Sequence, residues 1–347
     1  MLLSDFSYDY PAELVAQEAI EPRDASKMLV LDRASSQIQH HIFRQLPDFF
    51  KQGDVLILNN TKVLPARLFA KKETGGKVEV LFLKPQSENV WECLISNLKN
   101  LKEGSPLFFD FKGVSIQARL VENKDKIKKL EFSQDVSVRN LMEVEGAAPL
   151  PPYIRRDLAR KEDRDRYQAI FAEKEGAIAA PTASLHFTEE VMKGLRNKGV
   201  EIHYITLHVG MGTFEPIKSE NIQDHVMQTE FYEILPCVVE AIQKAKEEKR
   251  SVTAVGTTVV RSLESYFTNP PLTKGETGGF NSTSLFITPG YPFKIIDRFL
   301  TNFHQPASTP LLLTSSFAGK DFLFEAYRKA IQKKYRLFSY GDCMLIE

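Results

Sequence analysis

Lys77-Val-Glu-Val-Leu-Phe-Leu83, a polar turn at Gln86-Ser-Glu88, then Val90-Trp-Glu-Cys-Leu-Ile95: this stretch decides the fold. Two short runs rich in β-branched and aromatic residues, split by turn-forming residues, read as neighbouring strands. The pattern continues outward. Arg67–Lys71 precedes it across Thr74-Gly-Gly76, and Pro106–Phe111, Val114–Val121 and Ile127–Phe132 follow. Their turns fall at Glu103-Gly104, Lys112-Gly113 and Asn123-Lys-Asp125. Short strands at this regular spacing predict a small antiparallel β-barrel or sandwich.

The flanks have a different rhythm. Asp54–Asn59 reads as a buried strand ending in polar residues. Beyond the β block, strands and helices alternate. A helix is capped by Thr188 and ended by Lys198-Gly199. A strand spans Glu201–Val209, and a helix covers Val238–Lys249. Ser251–Val255 is a strand, and Thr258–Tyr266 and Lys320–Lys333 are helices. This alternation predicts an α/β main domain. Its N-terminal strand needs partners found only after the β block, so the architecture is an α/β main domain interrupted by an inserted small antiparallel β-barrel domain. The expected bounds are residues 1–65 and 146–347 for the two parts of the main domain and 66–145 for the insert. Thr268–Thr283, with two prolines and two glycines together, is expected to be a mobile loop.

The 347 residues are 43% hydrophobic and 26% charged, the balance of a globular chain. Lys and Arg number 45, as do Asp and Glu, which excludes a globally cationic nucleic-acid binder and leaves room only for a local basic face. Cys93, Cys237 and Cys343 are scattered, which fits neither a zinc site nor an iron–sulfur cluster. The N-terminus carries no signal-peptide pattern, and the uncharged run Phe299–Gly319 is too polar and proline-broken to span a membrane. A cytoplasmic monomer is expected, with no metal.

Four segments can carry chemistry. Alternation along Glu201–Val209 puts His208 beside Thr206 and away from Leu207, just before Gly210. Gly210 and Gly212 permit close approach of a ligand to the backbone, although a histidine merely satisfied at a strand end is the plainer alternative. The pair is followed by Phe214-Glu-Pro216, which argues against a dinucleotide fingerprint. His186 lies in the loop leading to the helix after Thr188, where free N–H groups suit anions; it can equally pack beneath that helix. Gly256-Thr257-Thr258 links a strand to a helix, and with Arg261 it can hold a carboxylate or phosphate. The alternative is an ordinary cap, with Arg261 and Glu264 paired on the surface. Thr301-Asn302-Phe303-His304 sits in the uncharged run and suggests a lined pocket. Arg67, Lys71 and Lys72 form a weakly neutralised basic cluster. A second, from Arg155 and Arg156 to Arg166, is interleaved with acids and reads as a solvated helix.

Together these segments resemble the S-adenosylmethionine:tRNA ribosyltransferase-isomerase family of queuosine biosynthesis. The resemblance begins at Leu14-Val-Ala-Gln17, Pro22-Arg-Asp24 and Leu29-Val-Leu-Asp-Arg33. It runs on through Gly53-Asp54 to Asn59, Pro65-Ala-Arg67 and Gly75-Gly-Lys-Val-Glu79. It continues with Ala180-Pro-Thr-Ala183, Leu185-His-Phe-Thr188, Thr206-Leu-His-Val-Gly210 and Gly212-Thr-Phe214. Val255-Gly-Thr-Thr258, Arg261, Leu263-Glu-Ser265, Pro289-Gly-Tyr291, Thr301-Asn-Phe-His304, Ser308-Thr309 and Phe338-Ser-Tyr-Gly-Asp342 complete it. The chain departs from the family pattern at Ser184, where glycine is usual, and at Asn60-Thr-Lys62, usually Asp-Thr-Arg. It departs also at Gln228-Thr-Glu230, usually His-Ser-Glu, and at Gln305 and Pro310, usually leucine.

The resemblance implies transfer of the ribosyl portion of S-adenosylmethionine to the aminomethyl-deazaguanine at the wobble position of a tRNA anticodon. Isomerisation then gives epoxyqueuosine, with adenine and methionine released. The sulfonium acidifies the adjacent ribose carbon, so a positioned base can take a proton there. From residue chemistry, His186, His208 and His304 are candidates for proton transfer and Glu230 for the acceptor ammonium. Thr257, Thr258 and Arg261 are candidates for the methionine carboxylate. Thr206, Gly210, Gly212, Thr213 and Asn302 join them as substrate contacts, and Arg67, Lys71, Lys72, Arg155 and Arg156 as tRNA contacts. The three histidines are expected to converge with Glu230 and Arg261 around one cleft. Two rival classes are a non-catalytic RNA-binding module and an adenosylmethionine methyltransferase. The first would need surface charge more than enclosed histidines, and the second a glycine-rich fingerprint.

Overall fold

Val55-Leu-Ile-Leu-Asn59 is buried along its whole length, as a strand covered on both sides must be. In the computed structural model, which describes residues 1–99, 101–123, 126–155, 160–210, 217, 219–268 and 279–347, this strand lies near the middle of a nine-stranded sheet. The sheet order is Gly279–Thr283, Glu230–Ile234, Glu201–Leu207, Val55–Asn59, Val252–Val255, Arg298–Asn302, Cys343–Ile346, Lys27–Asp32, Gln37–Ile42. From Glu201–Leu207 to Arg298–Asn302 all neighbours are parallel, so these strands end at one edge. The outer pairs are antiparallel except Lys27–Asp32 with Cys343–Ile346.

Helices cover both faces. Leu56, Leu58, Val255, Leu300 and Leu345 pack with Val191, Met192 and Leu195 of the helix Glu189–Asn197, whose cap Thr188 accepts from the Val191 N–H at 3.3 Å. The helices Pro236–Glu247 and Thr257–Thr268 pack on strands of the same sheet. Met1–Lys62, Pro151–Arg155 and Gln168–Glu347 form this α/β unit.

The other unit comprises Val63–Leu150 and Arg156–Tyr167. Its six strands, Arg67–Lys72, Lys77–Pro85, Val90–Ile95, Pro106–Phe111, Val114–Glu122 and Lys128–Phe132, close into an antiparallel barrel. Burial alternates with period two, and Phe82, Trp91, Phe109 and Phe132 fill the interior. Lys112 and Gly113 both have positive φ, the geometry that lets a two-residue turn follow the twist of its hairpin. The α/β fold with an inserted barrel stands as the sequence predicts.

Three segments take a form that the sequence did not specify. Gly279–Thr283, expected as part of a mobile loop, is a strand paired with Glu230–Ile234; residues 269–278 lie outside the described residues. The uncharged run Phe299–Gly319 holds most of a strand, to Asn302, and the buried helix Thr309–Ala318. The acid-rich segment Lys161–Arg166 is helical, but Asp163 is buried and Arg164 donates to the carbonyls ending the helix Val138–Glu145. Among the described residues no helix is long and apolar enough to cross a membrane.

Candidate active site

Parallel strands leave polar chain ends at their carboxyl edge, where an α/β sheet whose connections diverge opens a crevice. Here that edge carries Asn59, His208, Gly256-Thr257-Thr258 and Asn302. Asn59 is fully buried and knits three segments together. Its Nδ2 donates to the Leu207 carbonyl (3.0 Å) and Thr258 Oγ1 (3.3 Å), and its Oδ1 accepts from the N–H of Thr61 and of Leu207 (both 3.1 Å). Asn60 accepts from Thr206 Oγ1 at 2.7 Å and donates to Glu173 at 3.1 Å, so both halves of its amide are used.

His208 is oriented from two sides. Its Nδ1 shares a 2.8 Å hydrogen bond with Thr61 Oγ1. Gly176 (φ +151°) lies against the ring, and a Cβ there would fall 2.8 Å from it, so the position demands glycine. Burial, then Lys174, pushes the His208 pKa below the usual range, opposed by Glu233. The imidazole is therefore neutral near pH 7. Its Nε2 meets no partner among the described residues.

Arg261 and Glu230 are a buried ion pair, with Arg261 Nη1 donating to Glu230 Oε2. Glu230 Oε1 accepts from the Gly210 N–H at 3.3 Å, and Arg261 Nε donates to the Leu285 carbonyl at 3.0 Å. The second guanidinium nitrogen, Nη2, is buried without a partner among the described residues. Arg261 and Glu230 line a pocket with Thr257, Thr258, Thr309 and the apolar walls Leu285, Ile287 and Leu313. The first turn of the helix Thr257–Thr268 opens there, behind Gly256 at φ +84°. An orphaned arginine donor, threonine hydroxyls and a helix N-terminus suit a carboxylate.

The surface pairing of Arg261 with Glu264 does not occur. Glu264 is fully buried and accepts from the N–H groups of Lys294 (3.0 Å), Ile295 (3.0 Å) and Ile296 (3.3 Å). Glu264→Ala should therefore cost about 3 kcal/mol or more, because buried amides lose their acceptor. A fall in the urea midpoint at constant m-value is the expected reading.

No hydrogen bond or ring contact among the described residues joins any two of the three histidines. His186 and Asn302 lie at the end of the strand Arg298–Asn302, three places from Glu201–Leu207, roughly 14 Å at ordinary strand spacing. Asn302 Nδ2 donates to the Phe338 (3.0 Å) and Ser339 (3.3 Å) carbonyls, which turns its Oδ1 toward His186 Nε2 at 3.1 Å. His186 thus carries its proton on Nε2, and Nδ1 accepts from Ser26 Oγ at 2.8 Å. Both nitrogens are used inside the core. His304 Nε2 pairs with Thr301 Oγ1 at 2.8 Å, and its backbone N–H donates to the Tyr327 hydroxyl oxygen.

Burial pushes the His186 pKa down to about 4, with Arg336 and Arg23 adding to the effect. The unfolded chain takes up this proton near the ordinary 6.5, so the stability tied to neutral His186 is complete above that pH. It is lost as pH falls toward 4, by about 3 kcal/mol in all. His186→Gln keeps both hydrogen-bonding roles without titrating. Urea midpoints between pH 7 and 4 should fall less steeply in that variant.

Of the basic candidates, Lys71 and Arg155 are exposed. Arg67 is ion-paired with Glu79 at 3.2 Å and donates to the Leu150 carbonyl, while Lys72 binds the Asn97 and Lys99 carbonyls. Gly212, Thr213 and Arg156 lie outside the described residues. Sequence reasoning did not single out Asn59, Thr61, Lys174 or Gly176 as parts of the site. The one available signal was the polar end of the strand Val55–Asn59.

A central parallel sheet with histidine, arginine and hydroxyl groups at its carboxyl edge, in a chain interrupted by a closed barrel, defines an α/β protein with a candidate ligand site at a strand-end crevice. The family model described as queuosine biosynthesis protein matches residues 3–346. The S-adenosylmethionine:tRNA ribosyltransferase-isomerase of Sulfurihydrogenibium sp. is 48% identical over the whole of both chains, and that of Halothermothrix orenii 44%. The crystal structure of S-adenosylmethionine tRNA ribosyltransferase from Thermotoga maritima aligns over 99% of this chain and 100% of its own, with 35% identity and a TM-score of 0.56. The chain belongs to the S-adenosylmethionine:tRNA ribosyltransferase-isomerase family.

Proposed function

We infer that this chain transfers and isomerises the ribosyl moiety of S-adenosylmethionine in queuosine biosynthesis. The acceptor is the aminomethyl-deazaguanine of a tRNA anticodon, and adenine and methionine are released. The observation supporting a substrate site in this sheet is the buried Arg261, whose Nη2 has no partner among the described residues, at a helix N-terminus beside apolar walls. Arg261 Nη2 takes the methionine carboxylate, together with the hydroxyls of Thr257 and Thr258. Glu230, held against Arg261, then meets the methionine ammonium rather than the acceptor amine expected from the sequence. A zwitterion matches this neutral ion pair without leaving net charge buried.

His208 is the preferred base. With Thr61 accepting from Nδ1–H, the Nε2 lone pair is free to take the proton from the ribose carbon next to the sulfonium. The electron pair left there forms a double bond to the neighbouring ring carbon and breaks that carbon's bond to the ring oxygen. That oxygen becomes a carbonyl at the anomeric carbon as adenine leaves with its bonding pair. The acceptor amine adds to that carbonyl, and methionine departs with the sulfonium's bonding pair when the new carbocycle closes. His186, with both nitrogens engaged, supports the fold beneath Asn302. Lys71 and Arg155 supply phosphate contacts, and a tRNA substrate places the enzyme in the cytoplasm.

The test is to incubate the protein with S-adenosylmethionine and precursor tRNA and to follow free adenine. Stoichiometric adenine and ribosylated tRNA support this reading. Methylated tRNA would indicate a methyltransferase, and tRNA binding without turnover a binding module.

A further inference from the structure

Edge strands are usually blunted by charge. The edge strand Gly279-Phe-Asn-Ser-Thr283 carries none. Instead Phe280 is 83% exposed, and Phe231 on the adjacent strand is 68% exposed. Register places Phe231 opposite Ser282 and Phe280 opposite Glu233. Residues opposite one another, and residues two apart on one strand, share a face, so both rings stand on the same face as diagonal neighbours.

That face continues to His208. Glu233 pairs in register with Thr206, two residues before His208, and its carboxylate is ion-paired with Lys174. Lys174 and Glu233 are also the two charges that act on His208. The exposed rings therefore begin one residue pair away from the candidate base.

We propose that Phe231 and Phe280 form a stacking platform for unpaired bases of the RNA acceptor, delivering its anticodon loop to His208. This rests on the reading of the chain as a tRNA-modifying enzyme. Sequence-tolerant recognition of single-stranded RNA uses aromatic rings on a sheet face, because every base has a π-face to stack. A protein partner would call for a contiguous apolar patch. Here the register partners of the two rings on this face, Ser282 for Phe231 and Glu233 for Phe280, are both polar. The platform also gives the nearly charge-balanced chain a means of holding RNA that does not depend on cations.

The test uses the full-length protein with Phe231→Ala, Phe280→Ala and the double variant. A labelled anticodon stem-loop RNA reports binding directly, and adenine release reports the KM for tRNA. Each alanine should weaken RNA binding on the order of tenfold. Melting temperature and KM for S-adenosylmethionine should stay unchanged. Stacking releases no counterions, so the salt dependence of RNA binding should keep its slope. Phe280→Trp should retain affinity where Phe280→Ala loses it.

Unaltered stem-loop affinity in the double variant overturns the platform. So does a dimer of the native chain, seen by sedimentation, that the double variant abolishes, since the face would then belong to a second copy. If the native protein binds the stem-loop but releases no adenine, the enzymatic reading fails while the binding data still decide the platform.

Discussion

His208→Ala is expected to lower turnover by about two to four orders of magnitude, the usual contribution of a positioned general base. The melting temperature should change little, because the ring is only half-buried and its one hydrogen bond among the described residues is to Thr61. The check is adenine release at saturating S-adenosylmethionine and tRNA. A folded variant with near-normal turnover would remove His208 from the mechanism. The pH profile gives a second reading. Because burial and Lys174 lower the His208 pKa, the fraction in the neutral, base-competent form rises with pH through a value below 6.5. Lys174→Met removes a charge that lowers it, so the acid limb of the rate profile should move to higher pH. Thr61→Val should cut kcat with little change in KM for S-adenosylmethionine, since it frees the ring without touching the carboxylate pocket.

Arg261→Met should be the most damaging substitution for both stability and S-adenosylmethionine binding. It strands the Glu230 carboxylate, which is 5% exposed, and breaking one side of such a pair costs about 3–5 kcal/mol. Pairing it with Glu230→Gln removes the stranded charge, and most of the stability should return. Affinity for S-adenosylmethionine should not return with it. The charge-assisted contact to the carboxylate is gone in both variants, a loss of roughly ten- to hundredfold. Urea denaturation measures the first effect and equilibrium dialysis the second. Full recovery of binding in the double variant would place the methionine carboxylate elsewhere.

The sequence by itself determined the barrel almost strand by strand. Its period-two burial and turn residues are local properties: Lys112-Gly113 forces a tight hairpin, and Phe82, Trp91 and Phe109 alternate inward wherever the strands pair. The helix after Thr188 was legible for the same reason, its cap being written within four residues. Gly279–Thr283 and Arg298–Asn302 were not legible. Their polar Asn, Ser and Thr side chains suggest loops, and only sheet neighbours distant in sequence make them strands.

The site divides along the same line. Residue chemistry picked out His208, Arg261 and Thr258 at element ends. Only the tertiary structure put Glu230 on Arg261, Thr61 on His208, and Glu264 on the amides of Lys294–Ile296. It also engaged both ring nitrogens of His186 inside the core, with Ser26 and Asn302. A side chain's partners come from strand order, and strand order is set by long-range pairing that no local pattern encodes.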